Sequence, residues 1–415
     1  MARRAPGGPT RRTALAALLG AAACRATTRV APPHPGDFLE GALRERGRGL
    51  LAVTDPDANR FAIYDSALAA LVMLRRGRRD DAGRLLAGLT ALQYEDGALP
   101  FSFAGAGPDR VRFVRAGAVA WVGYAAAEYL DADVVAGRDR DLALHLAHQA
   151  AGYLLRSRVA AHGDPRDGLI AGGEGELRYD ISDGRVHEVV EPGALAWVSV
   201  EHNIDAYFFL RALARVTDAG DYAEAATRLG STLTARAWHD GRGQFARGVG
   251  PQGRDDLLAL DCASWGAVFL VATGDLDRAR IAFATAEQSY ASRDPRTGAT
   301  GHRPYAEGPV FEDPRLQRFY QRSLPAPTWD RIDAVWPEGS AGVALAALRT
   351  GRADRAREIL DAIEPLRVPG GAMPTFTLDV PFTFDTDPSV AGTAWVELVR
   401  FELSRAGDRP TLWVP

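Results

Sequence analysis

The stretch "WVSVEHNIDAYFFLRAL", residues 197–213, places acidic and polar side chains directly before a helix that is apolar on nearly every face. A helix of that composition is surrounded by protein on all sides. Five further segments share this character. Together with 204–216, the buried segments are 66–74, 116–130, 262–272, 340–348 and 389–403. The chain therefore predicts six buried helices.

Amphipathic segments alternate with the buried ones. Their apolar residues recur at helical spacing with Arg, Asp and Glu between them, so that one face meets a core and the other meets water. These segments are 37–51, 80–92, 139–155, 221–238, 275–290 and 352–366. Strict alternation predicts an all-α fold, an (α/α)6 toroid of six inner and six outer helices, which forms a single domain over residues 37–415.

The links between these segments are of two kinds. Links from a buried to an amphipathic helix are short, whereas those in the other direction run to roughly 20–50 residues, against a usual loop of about 4–6. In a ring all the long links emerge at the end where the inner helices begin, and such loops commonly carry binding and catalysis. The link 167–193 alternates enough to predict a small β-hairpin flap beside Glu201.

A tetratricopeptide-like solenoid, which would be a non-enzymatic protein-binding module, is the competing fold. Its repeat should be constant at about 34 residues. The corresponding glycines Gly77, Gly220, Gly274 and Gly351 lie 143, 54 and 77 residues apart. This irregular spacing favours the closed ring.

Composition limits the possible partners. The 415 residues are 47% hydrophobic, and the formal net charge is only −4, which argues against a nucleic-acid surface. We expect a monomer without a nucleic-acid partner.

The first 30 residues differ from the rest. Four arginines and no acid precede the uncharged run Ala14–Ala23, which is far shorter than the roughly 20 residues of a membrane-spanning helix. This pattern predicts an export leader, similar to a twin-arginine signal, and thus a periplasmic, cell-surface or secreted protein. Cys24 is a possible lipid-anchor site. Cys262, the other cysteine, is expected to be a small buried hydrophobe.

Acids recur at the junctions where long links enter buried helices. The candidate residues at these junctions are Tyr64, Asp65, Glu201, Asp205, Asp261, Asp333, Glu338, Asp385 and Asp387, with Arg115 at the second junction. Helix capping is the simpler explanation for Asp65, Asp261 and Ser389. Asn203 and Ser340 are better caps than glutamate, which leaves Glu201 and Glu338 for another task.

Aromatic residues cluster at the same junctions. Trp197 and Trp336 lie in links, whereas Trp265 lies on a buried helix, where a core role is the alternative. Carboxylates beside exposed aromatic faces suit sugar rings, whose C–H faces pack on the aromatic plane.

The motifs "YDSALAALVMLRRGRRDDAGRLL", "EHNIDAYFFLRAL", "LDCASWGAVFLVATGD" and "WPEGSAGVALAALRTGRADRA" resemble the six-hairpin glycosidase superfamily. The resemblance covers nearly the whole chain after the leader. It implies a carbohydrate substrate and an active site at the N-terminal ends of the inner helices. It also implies a general acid at the position of Glu201, with a partner carboxylate from Glu338, Asp385 or Asp387.

Glycoside hydrolysis needs one protonated and one ionised carboxyl group. We expect Glu201 to be the acid and Glu338 the base or nucleophile, with the remaining candidates, His202 among them, binding sugar. No cofactor is predicted, and no metal, because His145 and His148 have no third ligand near them in sequence. His202 leaves a second hypothesis open, in which the chain is a polysaccharide lyase or a sugar epimerase on the same fold.

Overall fold

The computed structural model describes residues 35–46, 48–104, 111–132, 137–182, 184–408 and 410–414. Within these ranges the α-helices follow the predicted alternation. They are α1 (Pro35–Ala42), α2 (Ile63–Arg75), α3 (Arg79–Thr90), α4 (Ala116–Leu130), α5 (Gly137–Arg156), α6 (Val200–Thr217), α7 (Gly220–Ala237), α8 (Leu260–Thr273), α9 (Leu276–Ser289), α10 (Pro314–Tyr320), α11 (Pro337–Arg349), α12 (Ala353–Ile363) and α13 (Val390–Ser404). Short 3-10 turns cover Trp329–Arg331 and Glu364–Leu366.

The inner ring consists of α2, α4, α6, α8, α11 and α13. Each packs against the next, and α13 packs against α2, which closes the ring. Every residue of α4 is buried, whereas the outer helix α12 buries only Ala356, Ile359, Leu360 and Ile363, at helical spacing. The predicted toroid is confirmed. The solenoid hypothesis is wrong, because the end helices of an open solenoid do not meet.

The predicted first outer helix, 37–51, is wrong over its second half. Helix α1 ends at Ala42, and a β-hairpin follows. The run Leu50–Val53 is buried at every residue, which is the pattern of a strand covered on both faces. Gly49 also packs directly on the backbone of α3, where a Cβ atom would lie 2.2 Å from Gly88 N.

Small antiparallel sheets fill the long links. The strands are β1 (Leu43–Arg46), β2 (Gly49–Asp55), β3 (Arg60–Ala62), β4 (Ser102–Ala104), β5 (Val114–Arg115), β6 (Gly173–Ser182), β7 (Arg185–Ala194), β8 (Val198–Ser199), β9 (Trp238–His239), β10 (Gln244–Phe245), β11 (Gly248–Gly250), β12 (Gly253–Asp255), β13 (Ala291–Arg293), β14 (Thr300–His302), β15 (Met373–Pro374) and β16 (Pro388–Ser389). The sheet orders are β1-β2-β3-β4, β5-β6-β7, β12-β11-β8, β10-β9, β13-β14 and β15-β16.

These strands orient the inner helices. Helices α2, α4, α6 and α13 each begin at the residue after a strand, so the sheets fix the direction of their first turns. Strands β6 and β7 form the predicted flap, shifted to 173–194 and paired from Glu174 opposite Ala194 to Ser182 opposite Arg185.

A second, smaller core lies among the long links. It contains Val310, Phe311 and Leu316 from the link that carries α10, together with Trp329 and Phe376. The flap packs on it, since the rings of Tyr179 and Phe382 lie 5.4 Å apart. The flap is thus fixed to the other long links.

The C-terminal segment Thr411–Trp413 fills the opposite end of the ring. Arg75 and Arg349, at the last turns of α2 and α11, donate to Thr411 O and Leu412 O at 2.6 and 2.7 Å. The Trp413 ring stacks on Phe208 at 4.8 Å. The ring is therefore closed at the C-terminal ends of its inner helices.

The contacts divide the chain into Met1–Pro32 and Pro33–Pro415. The predicted leader and Cys24 lie outside the described residues. Among the described helices, none has the length and apolar character needed to cross a membrane.

Candidate active site

A cavity of about 830 Å³ lies at the end of the ring where the inner helices begin. First turns of α2, α4, α6 and α8 and the long links surround it. The predicted residues that line it are Tyr64, Arg115, Trp197, Glu201, His202, Asp205, Asp261 and Trp336. The sequence thus identified residues from five different junctions that the fold brings to one place.

Glu201 is the second residue of α6. Ser199 caps this helix by accepting a hydrogen bond from His202 N at 3.3 Å. No described residue donates a hydrogen bond to the Glu201 carboxyl group, and burial raises its pKa to about 7. A carboxyl group in such a site keeps its proton close to neutral pH.

The predicted caps Asn203 and Ser340 are wrong. Helix α6 begins before Asn203, whose side-chain amide instead bonds Ile170 N and Ile170 O at 2.9 and 3.0 Å. Ser340 lies inside α11, where its hydroxyl accepts from His302 N. Ser389 does cap α13, whereas the caps of α2 and α8 are Ala62 and Ala259, so neither Asp65 nor Asp261 acts as a cap.

Glu338 lies in the first turn of α11 and is held by Tyr64. The Tyr64 hydroxyl donates to Glu338 Oε1 at 2.7 Å and accepts from Trp395 Nε1 at 2.6 Å. Burial raises the pKa of Glu338 to about 8; the bond from Tyr64 lowers it, and the charges of Asp65 and then Glu201 raise it. Glu338 therefore lies close enough to Glu201 for the charge of Glu201 to affect its ionisation.

Asp205 and Asp261 surround Glu201 from α6 and α8. Burial, and then the charge of Glu201, raises the pKa of both carboxyl groups well above the usual range. The Oδ1 atom of each is buried without a hydrogen-bond partner among the described residues. The raised pKa favours the protonated form of both side chains, and each has an oxygen available to bond a hydroxyl group.

His202 lines the cavity beside Glu201. Burial, followed by the charge of Arg115, lowers its pKa to about 3, so its ring is neutral. Its ring lies 6.1 Å from that of Trp197. Helix α4 approaches closely, since a Cβ atom on Gly117 would lie 2.4 Å from His202 Cδ2 and 2.8 Å from Asp205 Oδ2. Only glycine fits there without displacing these two side chains.

Arg115, the last residue of β5, lies at the base of the flap. Its Nη1 atom donates to the carbonyls of Val114, Glu174 and Gly175 at 3.0–3.1 Å. Burial lowers its pKa to about 10, so the guanidinium is charged at neutral pH. It is a fixed cation in the cavity wall.

Six predicted residues lie outside the cavity lining, and Glu338, which is hydrogen-bonded to the lining residue Tyr64, is one of them. Trp265 is buried below it and stacks on Trp395 at 5.1 Å. Asp65 is buried with a hydrogen bond to Thr54, and burial raises its pKa to about 6. The other three, Asp333, Asp385 and Asp387, are exposed.

Sequence reasoning missed the cavity residues on β-links. Arg247, between β10 and β11, lines the cavity and forms ion pairs with Asp255 and Glu312. Glu176 and other lining residues also come from links, where no periodic pattern marks them. Within the described residues, no group of three or more side chains is arranged to hold a metal ion.

No protein-family model and no curated protein matches this chain. Solved structures do match. A D-mannose isomerase has a TM-score of 0.61 at 12% identity, covering 90% of this chain and 96% of its own. The GH63 mannosylglycerate hydrolase from Thermus thermophilus, in complex with Tris and D-glycerate, has a TM-score of 0.59 at 15% identity, covering 88% and 98%.

A GH76 alpha-mannanase from Bacteroides thetaiotaomicron has a TM-score of 0.55 at 11% identity, covering 89% of this chain and 94% of its own. These proteins have the six-hairpin glycosidase fold, and the resemblance seen in the sequence is confirmed at that level. At these identities the likeness shows the fold alone.

Proposed function

We propose that the chain is a glycoside hydrolase that acts on an oligo- or polysaccharide through Glu201 and Glu338. One observation carries the proposal: two partly buried glutamates at the starts of different inner helices lie close enough for the charge of Glu201 to raise the pKa of Glu338, and neither has a capping role. Glycosidases use a pair of carboxyl groups on either side of the scissile bond.

In this proposal Glu201 is the general acid. Burial favours its protonated form, and no described residue donates a hydrogen bond that would favour the carboxylate. A protonated carboxyl group can donate to the leaving oxygen of a glycosidic bond.

Glu338 is then the base or the nucleophile. The pKa order, about 8 for Glu338 and about 7 for Glu201, is opposite to this assignment. The geometry favours it, because Tyr64 donates a hydrogen bond to Glu338, and such a bond stabilises a carboxylate. The hydrogen bond acts on Glu338 alone, whereas burial raises the pKa of both groups, so the hydrogen bond is what distinguishes the two glutamates.

The remaining walls suit a sugar. Trp197, Trp336 and Tyr305 offer aromatic faces, while Asp205 and Asp261 offer unpartnered oxygens for hydroxyl groups. The volume falls within the range of roughly 300–1,000 Å³ typical of small-ligand pockets, so a few sugar units fill it.

Release of reducing ends from a panel of purified glycans and short glycosides tests the proposal. We expect activity for the wild type and a loss of at least about a thousandfold in Glu201→Gln and Glu338→Gln. Glu224→Gln, on the exposed face of α7, is the matched control and should retain activity. If both cavity variants keep wild-type rates, the proposal fails.

A sugar isomerase or epimerase is the second candidate. His202 lines the cavity next to Glu201, and a D-mannose isomerase shares the fold. A neutral imidazole with a pKa near 3 is a weak base, which favours the hydrolase. An isomerase would convert a free hexose to another hexose without releasing new reducing ends.

A further inference from the structure

Arg115 is a charged group in the cavity wall that forms no ion pair with any described residue. The cavity lining contains two arginines, and the other, Arg247, is paired with Asp255 and Glu312. Glu176 acts on the charge of Arg115 without forming an ion pair with it. A partly buried cation without an ion-pair partner is costly, so its position in a cavity wall calls for an explanation.

The guanidinium group of Arg115 is held in one orientation. Three backbone carbonyls fix Nη1, and the Phe113 ring lies 4.1 Å from Cζ, with the Trp197 ring at 5.7 Å. The Nε and Nη2 atoms donate to no described residue. They form the side-on edge of the group, whose two parallel N–H bonds match the two oxygens of a carboxylate.

We propose that Arg115 binds a carboxylate of the substrate, so that the chain acts on an acidic glycoside. This inference rests on the proposed hydrolase function and narrows its substrate class. The carboxylate has two possible sources, a uronic acid unit or a small hydroxy acid carried as the aglycone. The uronic acid and the hydroxy acid carry the same planar carboxylate group and differ in size.

The surroundings favour a single negative charge. Glu176 lines the cavity and acts on the charge of Arg115, while Asp255 and Glu312 already neutralise Arg247. A phosphate dianion would meet these carboxylates with one cation to compensate it. A carboxylate brings one charge and the planar shape of the free edge.

Isothermal titration calorimetry with the full chain at pH 7 tests this inference with two matched pairs of probes. They are D-glucuronate with D-glucose, and D-glycerate with glycerol. We expect at least one acid to bind about tenfold or more tightly than its neutral counterpart, since a charged hydrogen bond is worth about 1.5–3 kcal/mol. Which acid is preferred identifies the source of the carboxylate.

Two variants assign the preference to Arg115. In Arg115→Met the acid-to-neutral ratio should fall to about one, and in Arg115→Lys it should fall only in part, because the charge stays and the fork is lost. Glu176→Gln removes a competing negative charge from the cavity and should raise the ratio. If Arg115→Met does not fold, Arg115→Lys decides the matter, because an unchanged ratio in that variant would refute bidentate binding by the guanidinium group.

Equal binding of acids and neutral counterparts by the wild type would overturn the inference, as would a preference that survives in Arg115→Met. The outcome is separable from that of the proposed function, because binding requires no turnover. Preferential binding of an acid without hydrolysis of any glycan would support the carboxylate subsite and would refute the proposed hydrolase function.

Discussion

The hydroxyl group of Tyr64 donates to Glu338 across 274 residues of sequence, at 2.7 Å. The bond joins the first inner helix to the fifth and leaves Glu338 with a donor that favours its carboxylate form. Glu201, which lines the cavity together with Tyr64, has no such donor among the described residues. The two glutamates therefore differ in this hydrogen bond, which favours the ionised form of Glu338 only.

Replacement of Tyr64 by Phe should raise the pKa of Glu338 further, because the ionised form loses its hydrogen bond. We expect kcat to fall about tenfold or more at pH 7, and the acidic limb of the profile of kcat against pH to move to higher pH. Tyr290→Phe, which removes a buried bond to Gln244, is the control. An unchanged profile in Tyr64→Phe would show that the bond has no part in the reaction.

Glu201 should make stability depend on pH. Its pKa is about 7 when folded and about 4.3 when unfolded, so the folded chain binds more protons between these values. The free energy of unfolding therefore falls as pH rises from about 4 to about 7.

Glu201→Gln cannot ionise and escapes this loss. The variant should be comparable to the wild type at pH 5 and more stable by about 1–2 kcal/mol at pH 8. Urea unfolding at the two pH values measures the effect, with Glu224→Gln as the exposed control. Parallel pH dependence in wild type and variant would contradict the burial of Glu201 as a protonated acid.

Gly117→Ala should distort the cavity wall, which Gly117 itself lines. The new methyl group would overlap His202 Cδ2 and Asp205 Oδ2, and relief requires both side chains to move. We expect a loss of about 1–3 kcal/mol in stability and a larger relative loss of activity. Gly220→Ala, in open space at the start of α7, is the matched control. Wild-type kinetics in Gly117→Ala would mean that this side of the cavity does not touch the substrate.

The leader remains a prediction. On expression of the full sequence in a bacterial host with an export pathway, we expect a mature N-terminus between residues 20 and 35 by mass spectrometry. A mass increase by a diacylglyceryl group on Cys24 would identify a lipoprotein. A chain that begins at Pro33 should unfold at the same temperature as the mature protein. Recovery of the intact N-terminus from the cytoplasm would refute export.

Periodicity carried most of the fold, because the buried apolar segments are longer than ordinary strands and alternate with amphipathic segments of helical spacing. It failed at Leu50–Val53, where four buried residues are too few to separate a strand from the end of a helix. The acidic and aromatic residue types at the N-terminal ends of the inner helices led to Glu201, Glu338 and Tyr64 as candidates.

The sequence could not identify Arg247 or Glu176, whose positions depend on how each long link folds back. It left two roles open for Trp265, on a buried helix, and the structure places that ring below the cavity, whereas Trp336 lies in its wall. The choice depends on the direction in which a side chain leaves its helix, which composition does not encode.

Closure of the ring has a consequence for the order of folding. The hydrogen bond from Trp395 to Tyr64 spans 331 residues, and Trp413 reaches the centre of the ring only from the last few residues of the chain. Contacts of such long range are slow to form, since the chain loses much entropy when it brings its ends together. We therefore expect Tyr64, and with it Glu338, to reach their final positions late. When the chain refolds, enzymatic activity should return more slowly than the helical signal in circular dichroism.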